Sequence, residues 1–134
     1  RLGRKSAAGF YEYDDRGKRI GIWQGLRDQY TKEDANLDLL DVQHRLMFAQ
    51  VLEAVRALEE GVLLDVREGD VGAILGWGFA PWSGGPLSWF DMLGSAYTTA
   101  RCDELEATYG VRFTAPNLLR EMAKEGEAFY DQFS

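Results

Sequence analysis

The sequence predicts a mainly α-helical protein, a small bundle of about five helices with a β-hairpin at its N-terminal end. Three observations lead to this fold class. Apolar residues recur at steps of three and four from residue 41 to residue 60. Proline and glycine then divide residues 61–126 into segments of helical length. Near the N-terminus, two runs of strand-forming residues flank a turn sequence.

The predicted hairpin is GFYEYDDRGKRIGIW, at residues 9–23. Aromatic residues in its first half, and Ile20 and Ile22 in its second, favour strands. The turn chemistry comes from DDRGK, in which Gly17 is free to take a positive φ. Because a lone hairpin is marginally stable in water, we expect this one to pack against something else.

A polar, acidic stretch at residues 31–41 precedes the first predicted helix. Asp41 is its expected N-cap and Gly61 its expected C′ residue. Its apolar residues spread beyond one narrow stripe, so we predict that this helix is central to the bundle. Those at helical spacing are Leu46, Phe48, Val51, Leu52, Val55 and Leu58.

Four shorter helices are predicted after Gly61. The first has Asp65 as N-cap and Glu68 three positions later, which is a capping-box arrangement. The aromatic tail AFYDQFS is expected to dock back onto the bundle. The expected extents of the four helices are 65–76, 86–94, 95–110 and 116–126.

The segment GWGFAPWSGGPLSWFD, at residues 76–91, is unusually apolar and is called the aromatic segment below. It holds three tryptophans, two phenylalanines, four glycines and two prolines, with no charge before Asp91. Exposed, such a run would promote aggregation, so it must be covered. Three interpretations stay open: packing inside the bundle, packing against another domain, or lining a pocket for an apolar ligand.

Composition narrows the function classes. The formal net charge of −7 argues against nucleic acid as a partner, because phosphate binding needs a basic face. No apolar run is long enough to cross a bilayer, and none resembles a signal peptide. Because the chain does not begin with methionine, we expect a processed product or a piece of a longer protein. A single cysteine allows no internal disulfide and fits a reducing compartment.

The residues alone provide no catalytic, cofactor-binding or metal-binding set. His44, the only histidine, is chemically able to act as a general base but is expected at a helix surface or interface. Cys102 lies in a helical pattern and is predicted to be packed or half-buried rather than a nucleophile. One histidine and one cysteine do not make a zinc site. The GWG run fails as a dinucleotide fingerprint because Pro81 occupies the third glycine position.

Two stretches together resemble a known family. GRKSAAGFYEYDDRGKR resembles the Gly-Arg-Lys-Ser/Thr-Gly-x-Gly-Phe-Tyr-x-Tyr signature at the end of a C-terminal repeat of 3-hydroxyacyl-CoA dehydrogenases. LEAVRALEEGVL, followed by DVGAILGWGFAPWSGGPLSWFDMLG, resembles the second such repeat of the multifunctional fatty-acid β-oxidation enzymes. The resemblance implies that residues 1–30 are the tail of the preceding helical repeat, with the hairpin. Residues 31–134 would be the 3-hydroxyacyl-CoA dehydrogenase C-terminal helical domain.

The implied reaction of the whole enzyme is oxidation of (S)-3-hydroxyacyl-CoA to 3-oxoacyl-CoA with NAD+, alongside enoyl-CoA hydratase activity. In this family an upstream domain binds NAD, a His–Glu pair serves hydride transfer, and an asparagine of the first repeat helps bind substrate. None of these matches a residue here, since His44 lacks the flanking motif of the catalytic histidine. We therefore expect this piece to support the active-site cleft and interdomain packing, and to be inactive alone.

The implied partners are the upstream dinucleotide-binding and hydratase domains of the same chain, the acyl-CoA substrate and, as an open alternative, a thiolase subunit. The implied location is the bacterial cytoplasm, with mitochondria or peroxisomes as alternatives. Self-association of the piece is also expected, because apolar area normally covered by sister domains would be open.

Two positions depart from the family pattern. Ala7 replaces a glycine of the signature, so its turn must avoid a positive φ or tolerate strain. Leu75 stands where bacterial relatives carry a tyrosine that can touch substrate, which leaves it only an apolar role along an acyl or pantetheine path. The resemblance assigns four aromatic residues to interdomain packing: Trp77, Phe79, Trp82 and Trp89.

Two other functions remain open from the sequence. One is a pure interaction module that binds other domains or a thiolase and touches no substrate. The other is a free-standing acyl-CoA-binding domain, which needs a basic patch for the CoA phosphates. The residues available for such a patch are Arg1, Arg4, Lys5, Arg16, Lys18 and Arg19.

Overall fold

The computed structural model describes residues 1–33 and 35–133 and divides the chain into two compact units. Unit 1 is Arg1–Leu37, and unit 2 begins at Asp38. The fold is mainly helical with a two-stranded hairpin near the N-terminus, which confirms the predicted fold class.

Unit 1 contains the predicted hairpin and one helix that the sequence did not predict. The antiparallel strands are β1 (Tyr11–Tyr13) and β2 (Arg19–Ile22), and their register shifts between Glu12 and Tyr13. The turn is held by the Asp14 carboxylate, which accepts hydrogen bonds from two backbone N–H groups of the turn. Helix α1 (Gln24–Tyr30) follows directly. With seven residues it is too short to show a helical period in the sequence.

Ala7 resolves the alternative that the sequence left open. Its φ is +51°, so the turn tolerates a left-handed residue instead of avoiding one. Among the described residues, no other non-glycine residue has a positive φ. The side chain of Ser6 supports this turn by donating to the carbonyl groups of Gly3 and Ala8. Without a glycine, this conformation costs of order 1 kcal/mol.

The described residues of unit 2 form a bundle of six helices. The five predicted helices are α2–α6, and the predicted docking of the aromatic tail takes the form of a short helix, α7. Within residues 1–33 and 35–133 there are also three 3₁₀ turns, at Arg4–Ser6 in unit 1 and at Pro81–Ser83 and Val111–Phe113 in unit 2. The helices are α2 (Leu39–Glu59), α3 (Val66–Trp77), α4 (Pro86–Leu93), α5 (Ser95–Tyr109), α6 (Asn117–Glu125) and α7 (Phe129–Gln132).

The predicted N-cap of α2 is wrong. The helix begins at Leu39, and the carboxylate of Asp38 caps it by accepting a hydrogen bond from the Leu40 N–H at 2.9 Å. Because this earlier aspartate is available as a cap, Asp41 lies inside the first turn. Its carboxylate instead accepts hydrogen bonds from side chains of α5.

Helix α4 lies at the centre of unit 2, where it contacts α2, α3, α5 and α7. The longest helix, α2, packs against α4 and α6 and supplies several fully buried core residues. The C-terminal tail is fixed to α4 by Asp91, whose carboxylate accepts the backbone N–H groups of Phe129 and Tyr130. Burial raises the pKa of Asp91. The core residues from α2 are Phe48, Val51, Leu52, Val55 and Leu58.

Candidate functional site

The structure separates the aromatic segment into a buried part and an exposed part. Phe79 and Trp89, two of the four residues assigned to interdomain packing, lie in the core of unit 2 itself. The other two, Trp77 and Trp82, have exposed fractions of 60% and 72%. Only the exposed pair is free to contact a partner, so the segment combines internal packing with an open apolar surface.

The buried part joins α4 to α2 through aromatic contacts. The ring of Phe48 lies 5.6 Å from that of Trp89, nearly perpendicular to it, and 4.9 Å from that of Phe90. Aromatic pairs of this kind add about 0.5–1.5 kcal/mol each beyond the area that they bury. These contacts fix the position of α4, and with it the loop that enters α4.

Asp70 holds the start of α4 and is the residue that sequence reasoning missed. Its buried carboxylate accepts the Leu87 N–H at 2.7 Å, the Ser88 N–H at 3.0 Å, and the hydroxyl groups of Ser88 and Tyr130. It therefore satisfies N-terminal amides that α4 cannot pair internally. The sequence did contain a signal for Asp70, because its spacing places it on the same helical face as the apolar residues Val66 and Ala73. The structure buries that face.

Gly85 allows this arrangement. Its φ is +123°, and a Cβ at this position would lie 2.3 Å from the Cβ of Asp70. No side chain fits there without displacing the carboxylate that caps α4. The glycine pair at residues 84–85 thus lets the backbone of the loop before α4 pass close to Asp70.

Of the exposed pair, Trp77 borders an apolar groove between α2 and α3, called the α2/α3 groove. Its volume is about 780 Å³, and the Trp77 indole lies at one end, where its N–H donates to the Gln50 side chain at 3.3 Å. The ionisable residues that line it are Glu53 and Glu68, both acidic. The apolar lining is Ala49, Ala54, Ala57, Val62, Leu63, Gly69, Gly72, Ala73, Gly76 and Trp77.

Two glycines of α3 have no role in the packing of unit 2. A Cβ at Gly69 would lie 2.5 Å from a terminal methyl group of Leu63, so that side chain would have to shift. A Cβ at Gly72 or Gly76 would meet no other atom within 4 Å. Each costs about 1 kcal/mol of helix stability relative to alanine. Their presence keeps the floor of the α2/α3 groove open to close approach.

Leu75 is 80% exposed and does not line the α2/α3 groove. It lies on α3, next to the groove residue Gly76. Its apolar role along an acyl or pantetheine path therefore stays a prediction.

Of the two positions predicted for His44, helix surface or interface, the structure shows the interface, between α2 and α5. Only 6% of the residue is exposed, and its Nδ1 accepts a hydrogen bond from Arg101 Nε at 3.0 Å. Burial first, and then the charge of Arg101, lower the pKa of His44. Its partner was not predicted, because Arg101, on α5, is distant in sequence. The interpretation of Cys102 as a packed residue is confirmed, since it is fully buried and burial raises the pKa of its thiol to about 12.

Unit 1 contains no buried hydrophobic side chain among the residues that the structure describes. Leu2 is 89% exposed and Phe10 is 73% exposed. A hollow of about 510 Å³ lies among the apolar residues of this unit, with Trp23 in its wall beneath the guanidinium of Arg1. Unit 1 thus presents its apolar side chains on its surface instead of collecting them in a core.

Residues 1–33 and 35–133 contain no group of three or more histidine, cysteine, aspartate or glutamate side chains placed to hold a metal ion. Within the same ranges, the helices are all too short or too polar to cross a membrane.

No protein-family model matches the chain. It is 38% identical over 137 residues to the fatty acid oxidation complex subunit alpha of Shewanella amazonensis, an alignment that covers 97% of this chain and 19% of that protein. The subunits of the same name from Shewanella frigidimarina and Shewanella halifaxensis are each 36% identical, again over 97% of this chain. The chain therefore spans about a fifth of the length of these relatives.

Proposed function

We infer that this chain is one region of a fatty-acid β-oxidation enzyme, where it acts as a scaffold that packs against neighbouring domains and supports the active-site cleft. The similarity to fatty acid oxidation complex alpha subunits extends over 97% of the chain, so both units share the ancestry of that stretch. The observation that carries the scaffold role is the uncovered apolar surface, which both units present.

Unit 1 supports this assignment because it lacks a core. Exposed apolar side chains such as Phe10 and Ile20 gain stability only when another surface covers them. In the proposed arrangement residues 1–30 complete a preceding helical repeat, which covers the hairpin. Residues 31–134 then form the C-terminal helical domain of a 3-hydroxyacyl-CoA dehydrogenase.

Unit 2 supports it through the α2/α3 groove. The groove is apolar, ends at an exposed tryptophan and is kept open by Gly72 and Gly76. Both of its ionisable residues are acidic, so it repels the phosphates of CoA and suits a protein surface better. This charge argument also favours the second candidate, an interaction module that touches no substrate.

The proposed reaction of the whole enzyme is oxidation of (S)-3-hydroxyacyl-CoA to 3-oxoacyl-CoA with NAD+, with hydratase activity in the same chain. NAD and the reacting groups would belong to other domains. The described residues support that division of labour. His44 Nδ1 is occupied by Arg101, and the thiol of Cys102 is buried with a pKa of about 12.

The scaffold role predicts that Trp77→Ser has different effects in two settings. In the isolated chain Trp77 is 60% exposed and donates one hydrogen bond to Gln50, so the substitution should lower the free energy of unfolding by about 1–2 kcal/mol. In a chimera, these 134 residues replace the matching stretch of the Shewanella amazonensis subunit. There the same change should cost about 1–3 kcal/mol more than in the isolated chain, because the exposed part of the indole would be covered by another domain. Thermal denaturation measures the change in stability in both settings. An assay of NADH formation measures the activity of the chimera.

Val111→Ser provides the matched control, since Val111 is also exposed but lies outside the α2/α3 groove. It should leave the stability and dehydrogenase activity of the chimera unchanged. If Trp77→Ser lowers the stability of the chimera no more than that of the isolated chain, the groove is not a domain contact. An unmodified chimera that folds but does not oxidise 3-hydroxyacyl-CoA would contradict the assignment to this enzyme.

A further inference from the structure

The single histidine connects α2 to α5. Arg101 Nε–H donates to His44 Nδ1 at 3.0 Å. An arginine side chain has donors only, so His44 Nδ1 must carry the lone pair and the ring proton must sit on Nε2. The contact therefore requires the neutral form of the imidazole.

Arg101 extends this contact to the first turn of α2. Its guanidinium donates to Asp41 Oδ1 at 2.6 Å and to Glu104 Oε2 at 2.7 Å. The other oxygen of Asp41 accepts the hydroxyl of Tyr109, near the end of α5. Asp41 and His44 of α2 are thus bonded to Arg101 and Tyr109 of α5, which holds the N-terminal part of α2 against α5. Of these four side chains, His44 titrates nearest to neutral pH.

Aromatic rings exclude water from much of the imidazole. The ring centroids of Phe48, Trp89 and Tyr97 lie 5.4, 6.3 and 6.4 Å from that of His44. A charged imidazole is poorly solvated there, so the surroundings favour the neutral form.

Charged groups face His44 from both sides of the contact. Asp38 and Asp41, at the start of α2, and Glu104 of α5 favour the protonated imidazole, whereas Arg101 opposes it. From α4 the neighbour is Trp89, which carries no charge. The remaining ionisable groups of the cluster are Tyr97, Tyr109 and Arg45, which stacks on the Tyr109 ring at 4.1 Å.

We propose that His44 and Arg101 form an acid-sensitive latch between α2 and α5. Protonation at Nδ1 replaces the acceptor of the Arg101 N–H by a second donor and sets two cations against each other. The guanidinium must then withdraw from His44, and the first turns of α2 separate from α5. The core below, formed by Val51, Leu52, Val55 and Leu58, stays packed because none of these buried side chains titrates.

The sign follows from the direction of the pKa shift. An unconstrained histidine has a pKa of 6.5, and the closed contact lowers it. The open form therefore binds protons more tightly, so the contact is complete above pH 6.5 and is lost as pH falls towards the lowered pKa. Asp91 cannot imitate this effect, because its raised pKa makes acid favour the folded form. The lowered pKa values of Asp41 and Asp65 act only as pH falls to the ordinary aspartate pKa of 3.8 and below it.

An NMR titration of the 134-residue chain, combined with amide hydrogen exchange, tests the latch. Because the chain has one histidine, its imidazole signal needs no assignment. We expect a titration midpoint below 6.5. As pH falls through that midpoint, amide exchange at residues 39–46 and 97–104 should accelerate at least about threefold, after correction for the pH dependence of the intrinsic exchange rates. Exchange at residues 51–58 should not accelerate.

His44→Gln keeps an acceptor for Arg101 but does not titrate, so it should abolish the acid-induced acceleration. Asp103→Asn is the matched control, because it removes an exposed ion pair of α5 with Arg120 and should leave the acceleration intact. A wild-type midpoint at or above 6.5 would overturn the proposal, and this readout needs no variant. Acceleration that persists in His44→Gln, or that spreads evenly through the core, would overturn it too.

Discussion

Replacing Gly85 by alanine is expected to lower the free energy of unfolding of unit 2 by about 3–5 kcal/mol. The added Cβ would lie 2.3 Å from the Cβ of Asp70, whose carboxylate caps α4. The φ of +123° adds backbone strain, because residues with a Cβ rarely adopt it. Since α4 contacts four other helices, displacing its first turn affects the whole unit. Urea denaturation followed by tryptophan fluorescence measures the loss.

Gly72→Ala is the control that separates this effect from a general intolerance of alanine. Gly72 lies inside α3, and a Cβ there would meet no atom within 4 Å. The isolated chain should therefore gain about 0.5–1 kcal/mol from the higher helix propensity of alanine. If the two substitutions changed the free energy of unfolding equally, the close contact with Asp70 would not be the reason that residue 85 must be glycine.

Asp70→Asn should cost about 2–3 kcal/mol although it changes the side-chain volume very little. Asp70 uses both carboxylate oxygens as acceptors, for two backbone N–H groups and two hydroxyl groups. In asparagine one oxygen becomes an NH₂ group, which donates. At least one buried N–H group of α4 then loses its acceptor. Thermal denaturation at neutral pH, together with the denaturant midpoint, checks the loss.

Asp65→Asn provides the comparison at an exposed cap. Asp65 caps α3 through the Arg67 N–H, and asparagine caps helices about as well as aspartate. The ion pair with Arg67 is exposed at the surface and contributes little. We expect a loss below about 1 kcal/mol. If both substitutions cost the same, the α4 cap is no stronger than a surface cap.

The long helices were predictable because their signals are local. Apolar spacing in α2, and capping residues, prolines and glycines for the helices after it, fix their approximate extents. Helices α1 and α7 are too short for a period to appear. The cap of α2 was misplaced because Asp38 and Asp41 are equally good capping residues, and only the contacts of Asp41 with α5 distinguish them.

The candidate site was predictable only in part. The sequence showed that the aromatic segment must be covered, but it could not divide Phe79 and Trp89, which are buried, from Trp77 and Trp82, which are exposed. That division depends on how α4 packs against α2, which no local pattern encodes. The partner of His44 could not be predicted either, because Arg101 is 57 residues away and only the packing of α5 against α2 brings it close.

The most direct test of the scaffold role is a fluorescence titration of this chain with acetoacetyl-CoA and then with NADH. Its tryptophans include exposed Trp77, at the end of the α2/α3 groove, and buried Trp89, beside the aromatic core. The account predicts no saturable change with either ligand after correction for absorbance. Saturable quenching by the CoA ester would contradict it and make the aromatic segment part of a substrate site.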